Sequence, residues 1–403
     1  MNSKPRIAFL GNNITPGGGS ASLYLLVKSL NSNVFDKYVY ASTCKSEEMK
    51  QNFLKHCKQV KLVELEEICS CQTFDTPQKK FEIIKRGSDK LAKLFLNELL
   101  NKKINILHVN NSVFPHVIEY VKKNSSIMII SHVRELIDHG GINTLQKFII
   151  ERIDSYSDKI ITISNNEARI FATNKHVKVL PNPFDFSLIE KITSHYRVKN
   201  KIANDVVLVA MMGRYNYHKG HLDFLKALKI ILKNKLFQTN FRFIIIGVSG
   251  RQPKWKILAK KILGREDYPS QVKKYIKENK LDQYLTLLPY TQNILEIIKD
   301  MDIIVRPSLS GDPWGRDIIE AMALSRPIVA TGNSTFFIRD GISGFLTPPK
   351  DPEQLAKKIS ELINNEDRRK QFGNKGFEII KQMCDINKYG SEIEKIYIEA
   401  LKN

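Results

Sequence analysis

Two pairs of charged residues carry the chemistry in this sequence. Arg214 and Lys219 stand five residues apart, each beside a glycine (Gly213, Gly220), just after the apolar run Val206–Met211. Two cations at the mouth of a strand can grip one diphosphate, Arg in a bidentate way and Lys as a point charge. They would also stabilise that diphosphate as it gains charge on leaving. Asp312 and Glu320 are separated by seven residues, with Trp314, Gly315, Arg316 and Asp317 between them. Helical spacing begins near Gly315, and a helix start presents unpaired N–H groups and partial positive charge to an anion. A carboxylate is repelled by phosphate, so Asp312 and Glu320 face hydroxyl groups instead. A diphosphate between two sugars has this layout, with Glu320 on a ribose and Asp312 on the far sugar.

The positioning elements follow from the flanks. Ile303–Val305 and Pro327–Ala330 are short apolar runs around a polar turn and a segment with Ile318, Ile319, Met322 and Ala323 at helical spacing. This is a strand–loop–helix–strand crossover. The same plan recurs along the chain. Residues 5–11 form a first strand, and the loop Asn12–Gly19 ends in Gly17-Gly18-Gly19. Ser20 is placed to cap the next helix. Strands are predicted at 38–43, 104–109, 127–131, 159–163, 177–180, 206–211, 241–247 and 284–288, and residues 45–103 read as mostly polar helix. His132 follows Ile127–Ser131, at the strand end where open α/β sheets bind ligands. Pro181-Asn182-Pro183 suits neither helix nor strand and closes the first half.

The segment Asp312 to Glu320, followed by Ala321-Met322-Ala323 and Ser325-Arg326-Pro327, resembles the signature of retaining GT-B glycosyltransferases of family four. The family's usual form has Glu at the first acidic position and Gly-Pro before the second strand. Gly213-Arg214 with Lys219-Gly220 resembles its second motif. The resemblance implies two Rossmann-like domains facing a cleft: 1–185 on the acceptor side, 186–385 holding the nucleotide sugar, and a helix at 386–403 crossing back to the first domain. It implies a hexosyltransferase-type enzyme that transfers sugar with retention, without metal or other cofactor. Catalytic roles fall to Asp312, His132, Arg214 and Lys219. Donor binding falls to Gly18, Arg214, Lys219, Tyr290 at the nucleobase turn, Trp314, Gly315, Arg316, Asp317 and Glu320. A sugar-nucleotide epimerase or phosphorylase on a similar fold, and a non-catalytic nucleotide-sugar-binding protein, are the alternatives.

Composition bounds the rest. The 403 residues carry a net charge of +21, which favours anionic partners. No nucleic-acid module is recognisable. A glycan or polyprenyl-diphosphate-linked acceptor, with peripheral contact to an anionic membrane, suits the charge. No stretch approaches the ~20 apolar residues of a membrane span. The N-terminus lacks signal-peptide order, so a cytoplasmic location is expected. The five cysteines form neither a CxxC pair nor a zinc pattern, and free thiols are expected. Asp300-Met301-Asp302 has metal-site spacing but precedes a strand, which argues against a metal role. The basic segment 252–280, with Trp255, reads as a docked helix in preference to a membrane-surface one. Asp138–Gly141 is expected to face the acceptor.

Overall fold

The computed structural model describes residues 4–68, 77–137, 143–171, 176–248, 267–312 and 314–402. The 138–141 loop, residues 252–266 of the 252–280 basic stretch, Cys69, Cys71 and Pro313 lie outside them. The chain divides into two compact units, Met1–Asp185 with Cys384–Asn403, and Phe186–Met383.

The N-terminal unit is built on a seven-stranded parallel sheet. Its strands are β1 (Arg6–Ile14), β2 (Asp36–Cys44), β3 (Gln59–Leu62), β4 (Ile106–Val109), β5 (Met128–Val133), β6 (Lys159–Thr162) and β7 (Val177–Val179), in the order β3-β2-β1-β4-β5-β6-β7. Helices cover both faces of a parallel sheet, so its central strands are apolar on both sides. Ala8 and Leu10 of β1 enter one core; Ile7 and Phe9 enter the other. The second core is completed by Tyr389, Ile393, Ile396, Tyr397 and Ala400 of the C-terminal helix, Ile386–Lys402. That helix lies close to helix α1 (Gly18–Ser29), and a Cβ at Gly390 would meet the Ser29 carbonyl oxygen at 2.5 Å. Two local readings change. β3 falls within the stretch read as helix, because four residues of an edge strand give too short an alternation to register. Ser20 lies inside α1, whose N-cap is Gly17, and its hydroxyl donates to the Asn13 carbonyl at 2.7 Å.

The C-terminal unit carries β8 (Val207–Met212), β9 (Phe241–Ile246), β10 (Leu285–Leu288), β11 (Ile303–Arg306), β12 (Ile328–Thr331) and β13 (Gly344–Thr347). They form a parallel sheet in the order β10-β9-β8-β11-β12-β13. The chain leaves β8 to one side and returns to β11 on the other. The carboxyl ends of these two strands therefore flank a topological switch point, the usual ligand crevice of such sheets. Asp302, just before β11, accepts from the Leu208 amide (2.7 Å) and pairs with Arg197 (2.5 Å), while Asp300 accepts from the Arg197 amide. Both aspartates thus staple strands and a preceding segment together. Among the described residues no cluster of His, Cys, Asp or Glu could hold a metal.

Candidate active site

Arg214 and Lys219 leave β8, and helix α2 (His221–Lys233) follows them. A one-turn 3₁₀ segment, Tyr217–Lys219, is capped by the Asn216 side chain, which accepts from the His218 amide. Gly220 then turns left-handed (φ 74°), and a Cβ there would sit 1.7 Å from the Pro307 carbonyl oxygen. Only glycine lets this loop pack so closely on the loop after β11. The Leu309 amide donates to the His218 carbonyl at 2.9 Å and ties the two loops a second time.

From β11 the chain runs to helix α3 (Arg316–Ala323), with Gly315 as its N-cap. A residue the sequence reading passed over organises this turn. Arg306, the last residue of β11 and 8% exposed, donates from Nε to the Asp312 carbonyl (2.8 Å) and from Nη2 to Asp312 Oδ2 (2.8 Å). Its Nη1 reaches both oxygens of Asp317 at 2.7 and 2.8 Å. A Cβ at Gly315 would meet Arg306 Nη1 and Asp317 Oδ1 at 2.6 Å, so this N-cap must be bare. Arg306 reads in sequence as the end of an apolar run. Its one signal is a cation followed by acids six and eleven positions on.

The charges influence one another strongly. Burial acts to lower the pKa of Arg306, but Asp317 and Asp312 outweigh it and hold it above its ordinary value. Burial acts to raise Asp317, yet Arg306 and Lys219 keep it below the usual carboxylate range. Lys219 is lowered, first by the neighbouring Arg306 and then by burial, against the pull of Asp317 and Asp312; Arg214 lowers it further. Glu320 is raised by burial, against its partner Arg316, whose Nε lies 2.9 Å from Oε1. Tyr290, 45% exposed after β10, is raised by burial and senses Arg214 and Glu320. Arg214, Lys219, Tyr290, Asp312, Arg316, Asp317 and Glu320 therefore share one neighbourhood at the switch point. Arg306 and Arg316 are consumed by carboxylates. Arg214 and Lys219 make no ion pair among the described residues.

The other candidates differ from the sequence reading in detail. Trp314 is buried against Phe337, so only its backbone is available to a ligand. The carboxylate of Asp317 is taken by Arg306, which leaves its amide. Asp312 keeps one oxygen, Oδ1, buried and without a partner among the described residues. Gly18 opens α1 in the N-terminal unit and is exposed. His132 is fully buried within that unit, its ring stacked near Tyr389.

Two units, each a parallel sheet of this topology, correspond to the GT-B architecture. The comparisons agree. Anabaena HepE in complex with UDP and glucose superposes with a TM-score of 0.77 at 17% identity, covering 98% of this chain and 100% of that one. Residues 193–379 match the family described as "Glycosyl transferases group 1". An uncharacterised glycosyltransferase of Methanocaldococcus jannaschii is 24% identical over 78% of this chain and 73% of its own length. The poly(ribitol-phosphate) alpha-N-acetylglucosaminyltransferase of Staphylococcus aureus is 23% identical over 69% of this chain, and the match spans about half, 51%, of that enzyme. The likeness to the group 1 glycosyltransferases thus lies in the C-terminal unit, over residues 193–379.

Proposed function

We propose that this chain moves a sugar from a nucleoside-diphosphate donor to a hydroxyl of a glycan or a polyprenyl-diphosphate-linked glycan in cell-surface polysaccharide assembly, with retention at the anomeric carbon. The observation that carries the donor assignment is the pair Arg214 and Lys219 at a switch point: two cations that make no ion pair among the described residues, with Lys219 crowded by Arg306. A diphosphate would relieve that crowding. The acceptor oxygen bonds to the anomeric carbon as the sugar–phosphate C–O bond breaks. The diphosphate leaves with the electron pair and takes up the hydroxyl proton. Both cations offset the charge it gains. Glu320 takes the ribose hydroxyls, the amides of Gly315 to Asp317 the phosphate and sugar, and the unpartnered Asp312 Oδ1 a sugar hydroxyl. Tyr290 borders the base, and Gly18 and His132 are proposed to bind substrate on the N-terminal unit.

The relatives support the same reading, since the Staphylococcus aureus enzyme is named for a polyol-phosphate glycan and HepE was solved with UDP and glucose. No described helix is long and apolar enough to cross a membrane. With a net charge of +21, peripheral binding at the inner membrane face is the expected route to a lipid-linked acceptor.

The test is release of free nucleoside diphosphate from UDP- and GDP-sugars, with and without acceptor, and the anomeric configuration of the product by NMR. Lys219→Ala and Arg214→Ala should each lower release by about 10²–10³-fold. Activity surviving both changes would remove the diphosphate assignment. Turnover without an acceptor alcohol would favour an epimerase or phosphorylase. Co-sedimentation with anionic vesicles tests the membrane contact, and failure to pellet would count against it.

A further inference from the structure

The fully buried His132 belongs to a chain of hydrogen bonds whose direction one residue decides. In the sheet, His108 of β4 lies opposite Ile130 of β5, and His132 is two residues further along the same face. The C-terminal helix covers that face. His108 Nε2 lies 3.2 Å from His132 Nδ1, and Tyr397 of the helix places its hydroxyl 2.8 Å from His108 Nδ1. Arg134 reaches the same His132 Nδ1 from Nη2 at 3.2 Å. Its other N–H groups are fixed by Asn110 Oδ1 (2.8 Å), Asn182 Oδ1 and the Tyr389 hydroxyl (3.2 Å).

A guanidinium can only donate. His132 Nδ1 must therefore carry a lone pair, and its proton sits on Nε2. His108 Nε2 faces that lone pair and must be N–H. His108 Nδ1 is then the acceptor, and Tyr397 donates to it. No step of this assignment is free once Arg134 is in place. Burial, then the charge of Arg134, holds His132 well below its ordinary pKa, and the same two causes act on His108. Tyr389 and Tyr397 are pushed up and stay neutral. The nearby carboxylate, Glu135, is occupied by the Ser112 hydroxyl (2.5 Å) and amide (3.0 Å). His132 Nε2 is buried and has no partner among the described residues. A buried donor left without an acceptor is costly, so an oxygen is expected to meet it.

We propose that Arg134, with His108 and Tyr397 as positioning residues behind it, fixes His132 as a neutral ring with its proton on Nε2, a hydrogen-bond donor to a substrate oxygen and neither a base nor an acid. The substrate half of this statement rests on the function proposed above; the tautomer does not.

Nitrogen-15 NMR of histidine in the full chain decides the tautomer without any turnover. Both rings should show Nε2–H and Nδ1 lone-pair shifts, unchanged from pH 8 to about 5.5. A wild-type His132 protonated on Nδ1, or titrating near the ordinary value of about 6.5, overturns the proposal. Arg134→Gln should let His132 carry its proton on either ring nitrogen while burial still keeps the ring neutral; a ring that stays wholly Nε2–H would show that Arg134 does not decide the tautomer. Tyr397→Phe, which keeps the ring, should take the hydrogen bond off His108 Nδ1 and leave both rings protonated on Nε2; a switch of either ring to Nδ1–H would show that Tyr397, and not Arg134, sets the direction of the chain. Normal spectra combined with full activity in His132→Gln would overturn the substrate contact alone. A wild-type chain that turns over no donor would sink the glycosyltransferase reading and leave the spectra to judge the tautomer.

Discussion

At the carboxyl ends of β8 and β11, the cations Arg214, Lys219, Arg306 and Arg316 share their loops with the carboxylates of Asp312, Asp317 and Glu320. At the carboxyl ends of β4 and β5, the same kind of position holds His108, His132, Asn110 and one arginine, Arg134, tied to Asn182, Tyr389 and Tyr397. The first cluster is charged, and two of its cations, Arg214 and Lys219, make no ion pair among the described residues. The second is neutral apart from Arg134, with its hydrogen bonds directed inward. One end is arranged to receive negative charge. The other is arranged to hold polar side chains in a single protonation state.

The sharpest way to break this contrast is Arg306→Met. It leaves Asp317 and the Asp312 side chain half-buried and unpaired, and removing one partner of a buried pair costs about 3–5 kcal/mol. The loss should appear in hydrogen exchange of the C-terminal unit and not in the N-terminal one. Adding Asp317→Asn should recover part of it. A loss below about 1 kcal/mol, or one spread evenly over both units, would mean the cluster is not held by Arg306.

Acid should act the other way. The N-terminal unit buries His108, His116 and His132, whereas the C-terminal unit buries His221. Burial holds all four below their ordinary pKa, His116 and His221 at about 4. Below about 6.5 the unfolded chain binds protons that the folded rings refuse. Stability therefore falls as pH drops from 6.5 toward the folded values, by up to ~1.4 kcal/mol per pH unit for each ring. Between pH 6.5 and 4.5, hydrogen exchange should quicken more steeply in the N-terminal unit. Equal slopes in the two units would remove the contrast.

The smallest effect concerns the end of α3. Ser325 sits at φ 55°, with its amide donating to the Met322 carbonyl and the Arg326 amide to the Ala321 carbonyl. This is a Schellman ending, where glycine is the usual residue. Ser325→Gly should raise denaturation stability by about 0.5–1 kcal/mol. No gain, or a loss, would show that the serine is not strained.

The alternating apolar runs and helical segments made the two parallel sheets legible, because burial on both faces leaves little choice of residue. Most of the β8–β11 cluster was legible as well: its residues, Tyr290 and Arg306 apart, lie within two short stretches, 213–220 and 312–320. Arg306 escaped because a cation ending a buried strand declares itself only through partners it has yet to meet. The environment of His132 escaped for a simpler reason. Its partners come from positions 108, 134, 389 and 397, and no local pattern links them. A four-residue edge strand such as β3 and a serine just inside α1 failed for want of length and context.

The placement of the C-terminal helix has a consequence for biosynthesis. Tyr389, Ile393, Ile396 and Tyr397 belong to the core of the N-terminal unit, yet the whole of Phe186–Met383 precedes them on the ribosome. The first half of the chain thus emerges with one face of its sheet only partly covered, by α1, and with His108 Nδ1 lacking the tyrosine hydroxyl that donates to it. The second half can mature while the first still waits for its last helix.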